Sequence, residues 1–203
     1  MSLLGLLLLL LVFRDLGETK IIKKNKNKKS SASFINLFWE AKFWGYSFTL
    51  AFSAGTFFSF LGGAPYVATK VYNLNSVLSG LVMGFPAAGY FIGNYLSGRY
   101  SKFYGIDYMA LRGILLVIFG MFICLVITVF YRDTPYFFFG LCSFVGLGNG
   151  LIIPNASVGI LSVNENLSGT AGGIGNAIMI GTGAILASLT SYFLENQTSS
   201  SSK

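Results

Sequence analysis

The chain has 203 residues, of which 54% are hydrophobic and only 10% charged, with a mean hydropathy of +0.67. Water-soluble domains are about a quarter charged residues, so this composition excludes a surface covered by water and points to lipid as the solvent. The net charge of +7 does not mark a nucleic-acid partner: six of the fourteen basic residues crowd into Lys20 to Lys29, after an apolar run, with no basic helix or aromatic-basic platform beside them.

As a helix, residues 1–13, MSLLGLLLLLLVF, would span about 20 Å against the ~30 Å of a bilayer core. No basic residue precedes the run and no small-residue cleavage site follows it, so it reads as a partial transmembrane helix rather than a signal peptide. Residues 14–42 are a basic linker, KIIKKNKNKKSSAS at its centre, with too few apolar residues to pack. Trp39 and Trp44 mark the membrane interface at its end.

A bundle of five full spans is expected over 43–194, with limits near Trp44–Ala68, Val77–Ser97, Tyr108–Tyr131, Pro135–Ile160 and Ser168–Leu194. Each is long enough to cross the hydrocarbon at 1.5 Å per residue. Nothing alternates in polarity as barrel strands do, and helices satisfy their own backbone in lipid. The fold class is therefore all-α membrane protein. The tail, 195–203, is polar and expected to be unstructured.

Loop charges orient the spans. The linker carries Arg14, Lys20, Lys23, Lys24, Lys26, Lys28, Lys29 and Lys42, and the next connection on that side carries Arg99 and Lys102, with Arg112 just inside the third span. The opposite side has Lys70, Arg132 and Lys203. The linker side is therefore expected to be cytoplasmic. The third span is apolar nearly all round and should face lipid. The second, fourth and fifth are dense in glycine and should form the bundle interior, because small residues let helix backbones approach. Pro65 is expected to end the first span.

Cys124 and Cys142 lie in apolar runs and read as reduced small hydrophobes. There is no histidine and no paired cysteine motif, so no metal or other cofactor is expected. An intramembrane enzyme would need a nucleophile, an acid-base pair or a metal site, and the sequence offers none.

Several segments resemble the C-terminal half of a major facilitator superfamily transporter, closest to the bicyclomycin-resistance (Bcr/CflA) drug-efflux branch. Phe13 to Thr19, FRDLGET, is similar to the R-L-P-E-T that ends the sixth helix there, with Gly17 in place of proline. Phe57 to Val67, FFSFLGGAPYV, resembles the seventh helix. Gly93-Asn94 through Arg99, Lys102 and Gly105 resembles the eighth helix and the loop after it. GNGLIIPNA, Gly148 to Ala156, resembles the tenth, and Gly169-Thr170-Ala171 the start of the eleventh. In the loop 98–105 the superfamily pattern G-x-x-x-D-R-x-G is altered: Lys102 stands where aspartate is expected and Phe103 where arginine is. Counted against such a transporter, the chain would begin partway through helix six and stop after helix eleven, a fragment that a separately encoded N-terminal half would complete.

The resemblance implies a proton-driven multidrug efflux transporter (bicyclomycin or chloramphenicol type) of the bacterial cytoplasmic membrane. Its partners would be the lipid bilayer and a small-molecule drug exchanged for a proton. The alternative is a non-transporting remnant or a structural subunit of a split transporter. Asn149, Asn155 and Asn176 are polar side chains at membrane depth; they line a substrate cavity or hydrogen-bond between helices as structural glue. Pro86 and Pro154 are hinge candidates or static kinks. Gly98, Arg99, Lys102 and Gly105 are gating-loop candidates, or determinants of topology alone. The acids Asp15, Glu18, Glu40, Asp107, Asp133, Glu165 and Glu195 all fall in loops or at helix ends.

Reporter fusions test the orientation. A fusion at residue 25 is expected to report cytoplasm and one at residue 200 the opposite side; finding both on one side would break the five-span reading.

Overall fold

The computed structural model describes residues 37–130, 134–164 and 167–201, the last seven of these by backbone alone. The partial helix expected at 1–13, linker residues 14–36, Tyr131, Arg132, Asp133 and Glu165 lie outside the described residues. Five long helices follow one another: α1 (Ala41–Tyr66), α2 (Ser76–Tyr104), α3 (Ile106–Phe130), α4 (Pro135–Val163) and α5 (Ser168–Ser201). All five are long and apolar enough to cross a membrane.

The helix ends follow local chemistry. Asn75 caps α2, its side chain accepting the Leu78 N–H at 2.8 Å. Pro135 opens α4 at a position where its missing N–H costs nothing. Between α2 and α3 the turn is a single residue, Gly105, with φ +87°, a conformation that a Cβ would strain. The expected loop 98–105 is thus a correction: 98–104 is helical, because nothing between Gly98 and Gly105 breaks the helix.

Two further expectations are corrected. Pro65 does not end α1; the helix runs past it into a π-helical turn, Val67–Val71. Inside that wider turn Thr69 donates its hydroxyl to the Pro65 carbonyl at 2.8 Å. Nor does the chain leave the helix at 195: α5 continues to Ser201, since extending a formed helix is far easier than starting one.

Helix α4 is the axis of the bundle. It packs extensively on α2 and α3, and also on α1 and α5, while α5 leans chiefly on α1. In lipid no hydrophobic force drives helices together, so close packing must do so. The sequence supplies it as glycine. A Cβ on Gly146 would fall 1.9 Å from the Pro86 carbonyl oxygen, and one on Gly150 2.5 Å from that of Tyr90. From the other side, a Cβ on Gly89 would meet the Ser143 carbonyl at 2.3 Å and one on Gly93 the Leu147 carbonyl at 2.2 Å. Gly148 faces Gly113 of α3, each lying 2.7 Å from the other's carbonyl by the same measure.

Glycine density does not decide which helix is interior. Gly80 and Gly84 of α2, and Gly169, Gly173 and Gly181 of α5, have no neighbour within 4 Å of a would-be Cβ. Helix α5 is therefore peripheral among the described residues, contrary to expectation, and α1 is more deeply packed, burying Phe43, Ser47, Leu50, Ala51, Ser53 and Ala54. Helix α3 meets expectation: Leu115, Ile118, Phe119, Phe122 and Leu125 are all more than half exposed.

Gly146→Ala is expected to lower the stability of the detergent-solubilised chain by roughly 1–3 kcal/mol, the cost of overpacking. Gly84→Ala should stay within about 0.5 kcal/mol of wild type. Unfolding titrations followed by tryptophan fluorescence read both; equal effects would refute the α2–α4 contact.

Candidate functional site

Among the described residues, the two buried asparagines of α4 bond to different helices, Asn155 to α2 and Asn149 to α1. Asn155 is 2% exposed and its amide bonds to α2 and to the backbone of its own helix. It donates to the Ser97 hydroxyl at 2.8 Å and to the Leu151 carbonyl at 2.6 Å, and accepts from the Ser101 hydroxyl at 2.7 Å. Ser97 and Ser101 lie 3.3 Å from each other, which closes the ring. Such a closed set fixes the relative height of two helices.

Asn149 is fully buried and turns toward α1. Its carbonyl oxygen accepts a hydrogen bond from the Ser53 hydroxyl, while its Nδ2 has no partner. It borders a cavity of about 330 Å³ between α1, α3 and α4, lined also by Phe48, Phe52, Ile114, Val117 and Ile118 and by the hydroxyl residues Thr49 and Thr56. Thr49 and Ile114 also line a cavity toward the helix end that holds Lys42, Tyr46 and Asp107. Phe52 and Thr56 also line a larger one, about 540 Å³, toward the opposite end. The three form one groove along α1. Its walls are aromatic and aliphatic, with Phe48 and Phe52 stacked 6.1 Å apart. Among the described residues that line it, the buried unsatisfied donor is the Asn149 amide. A mostly apolar pocket with few placed polar groups is how sites for small molecules are built.

Tyr46 closes one end of the groove. Its hydroxyl donates to Asp107 Oδ1 at 2.6 Å, tying α1 to α3, and its ring fills the space beside Gly159 of α4.

The other sequence-derived candidates are dispersed. Asn176 is exposed on α5 and borders a small void of about 40 Å³ with Leu50, Ser157, Ile160, Leu161 and Gly172; it meets neither Asn149 nor Asn155. Pro86 is fully buried and its carbonyl is the atom against which Gly146 packs. Pro154 lies inside α4, half-buried, one residue before Asn155. Gly98 and Lys102 are exposed, Arg99 donates to the Tyr95 hydroxyl at 3.3 Å, and Gly105 makes the turn into α3. Ser53, Ser97, Ser101 and the Tyr46–Asp107 pair were not singled out from the sequence. The signal for Ser97 and Ser101 was present, as hydroxyls four apart on one helix face; for Ser53 and Tyr46 none was, because their partners lie 96 and 61 residues away.

This architecture, four apolar spans packed about a glycine-lined fifth with a groove along α1, defines a multi-pass α-helical membrane protein. Residues 1–188 match the family model of the Major Facilitator Superfamily, and the chain belongs to that superfamily, whose members are transporters. No curated protein and no solved structure matches it.

The two asparagines should differ in weight. Asn155→Ala is expected to cost about 1–2 kcal/mol, since it leaves two hydroxyls short of partners in an apolar surround. Asn149→Ala should cost less, because it also removes an unsatisfied amide. Unfolding of both variants in mixed micelles checks the order; a larger loss for Asn149→Ala would reverse the assignment.

Proposed function

We propose that the chain acts as the C-terminal portion of a proton-driven multidrug efflux transporter, of the bicyclomycin or chloramphenicol type, in the bacterial cytoplasmic membrane. The observation that supports it best is the apolar, aromatic-walled cavity of about 330 Å³ that Asn149 borders, with the buried Asn149 Nδ2 left without a partner beside it. A lining of that kind suits a largely apolar molecule, and 300–1,000 Å³ is the usual range for drug-sized ligands. The basic linker lies on the cytoplasmic side in this reading, together with Arg99, Lys102 and Arg112.

Pro86 and Pro154 are the candidate flexing points of a rocking motion, Asn155 sets the register of α2 on α4, and the 98–105 segment couples α2 to α3. Asn176 faces outward from α5, where it would meet a complementary half. The proton has to be carried elsewhere. Among the described residues, the carboxylates whose side chains are placed are Glu40, at the start of α1, and Asp107, in the first turn of α3; neither lies at mid-span. Coupling requires a titratable group in the path, so this reading assigns the proton-binding residue to the complementary portion of the transporter. The same observation favours the second reading, a structural subunit that does not transport by itself.

In a pump-deficient host, the chain alone is expected to give no drug resistance and no proton-dependent efflux, although it inserts. Co-expression with a superfamily N-terminal half should lower drug accumulation, and Asn149→Leu should abolish that gain. Proton-dependent efflux by the purified chain alone would overturn the proposal. Failure of every N-terminal half to restore efflux would leave the structural-subunit reading standing.

A further inference from the structure

Where α2 turns into α3, a ladder of aromatic rings ends on a guanidinium. The Tyr100 and Tyr104 rings lie 6.2 Å apart, and Tyr104 stacks on Tyr108 across Gly105 at 5.6 Å with an interplanar angle of 26°. One helical turn on, Arg112 sits over the Tyr108 ring at 4.5 Å and donates to its hydroxyl. Arg112 is exposed. Above it on the same face of α3, Leu115, Phe119 and Phe122 are 57, 59 and 62% exposed, and with Leu116 they line a shallow apolar trough that Arg112 heads.

The carboxylate in the first turn of α3 does not neutralise this cation. Asp107 turns to the other side of the helix, where it accepts from Tyr46 beside Lys42. Arg112 is met by a phenol and a π-face, which hold it in place without quenching its charge. A fixed cation at the start of a span, heading a hydrocarbon trough on the lipid face, complements a molecule with a negative head and an acyl tail.

We propose that this face of α3 binds one anionic diacyl phospholipid. The Arg112 guanidinium takes the phosphate through its paired N–H groups, and one acyl chain lies along Leu115, Phe119 and Phe122. A zwitterionic lipid brings its own ammonium to the phosphate and gains less from Arg112. A free phosphate ester gains nothing from the trough.

The test uses the full chain purified in detergent and titrated with phosphatidylglycerol or phosphatidylcholine, with bound lipid counted by native mass spectrometry. Phosphatidylglycerol is expected to bind roughly fivefold more tightly, the gain of one basic residue at an anionic group. Arg112→Gln should erase that preference. Lys42→Gln, which removes the same charge from the opposite side of α3, should keep it. Phe119→Ala should weaken both lipids, and millimolar glycerol phosphate should displace neither. Equal binding of the two lipids by wild type would overturn the proposal. So would an equal loss in Lys42→Gln, which means diffuse charge, or displacement by glycerol phosphate, which means a headgroup site alone. The wild-type comparison and Phe119→Ala decide the matter even if Arg112→Gln fails to fold.

Discussion

Helices α2 and α4 meet as bare backbone. At Gly89, Gly93, Gly146 and Gly150 each helix offers the other a surface without side chains, and the facing carbonyls occupy the space a Cβ would need. Lipid tails are as apolar as leucine, so this approach gains its stability from dispersion contacts and from polar bonds that the short distance permits. The Asn155 ring with Ser97 and Ser101 is one of those bonds. It needs the two helices close enough for short side chains to span the gap. Were the backbones pushed apart by a methyl group, the amide would no longer reach both hydroxyls.

The pentapeptide Gly146 to Gly150 divides its contacts among three neighbours. Gly146 and Gly150, four apart, face α2; Gly148 faces Gly113 of α3; and Asn149 turns to Ser53 of α1. A single helical turn and a half therefore sets the positions of three helices, and it does so beside the groove. The cavity and the packing are one arrangement, since the glycines that draw α2 and α3 inward leave the asparagine aimed at the space between α1 and α3.

Much of the fold was legible because lipid imposes simple rules. Length and apolarity give the spans, and the bulky face of α3 gives its exposure. The family was legible in short strings, GNGLIIPNA above all. What could not be read was directional. A glycine says that something approaches closely, not what. Gly84 and Gly146 look alike in sequence, yet one faces open space and the other a carbonyl. Pro65 is a helix stop by local rules, but the π-turn that accommodates it depends on residues beyond it. Asn149 and Asn155 are chemically the same side chain six residues apart. Their different states, one satisfied and one not, follow from which neighbouring helix presents two hydroxyls and which presents one.

The α2–α4 contact also bears on how the gene can vary. Every missense change of one base in a glycine codon yields a residue that carries a Cβ. At Gly146, where that atom would fall on the Pro86 carbonyl, the codon therefore has no neutral amino-acid neighbour. Drift along this helix must run through the lipid-facing positions and the open glycines. The buried ones can change only together with their counterparts on the facing helix, so two helices far apart in the coding sequence are constrained to vary as one.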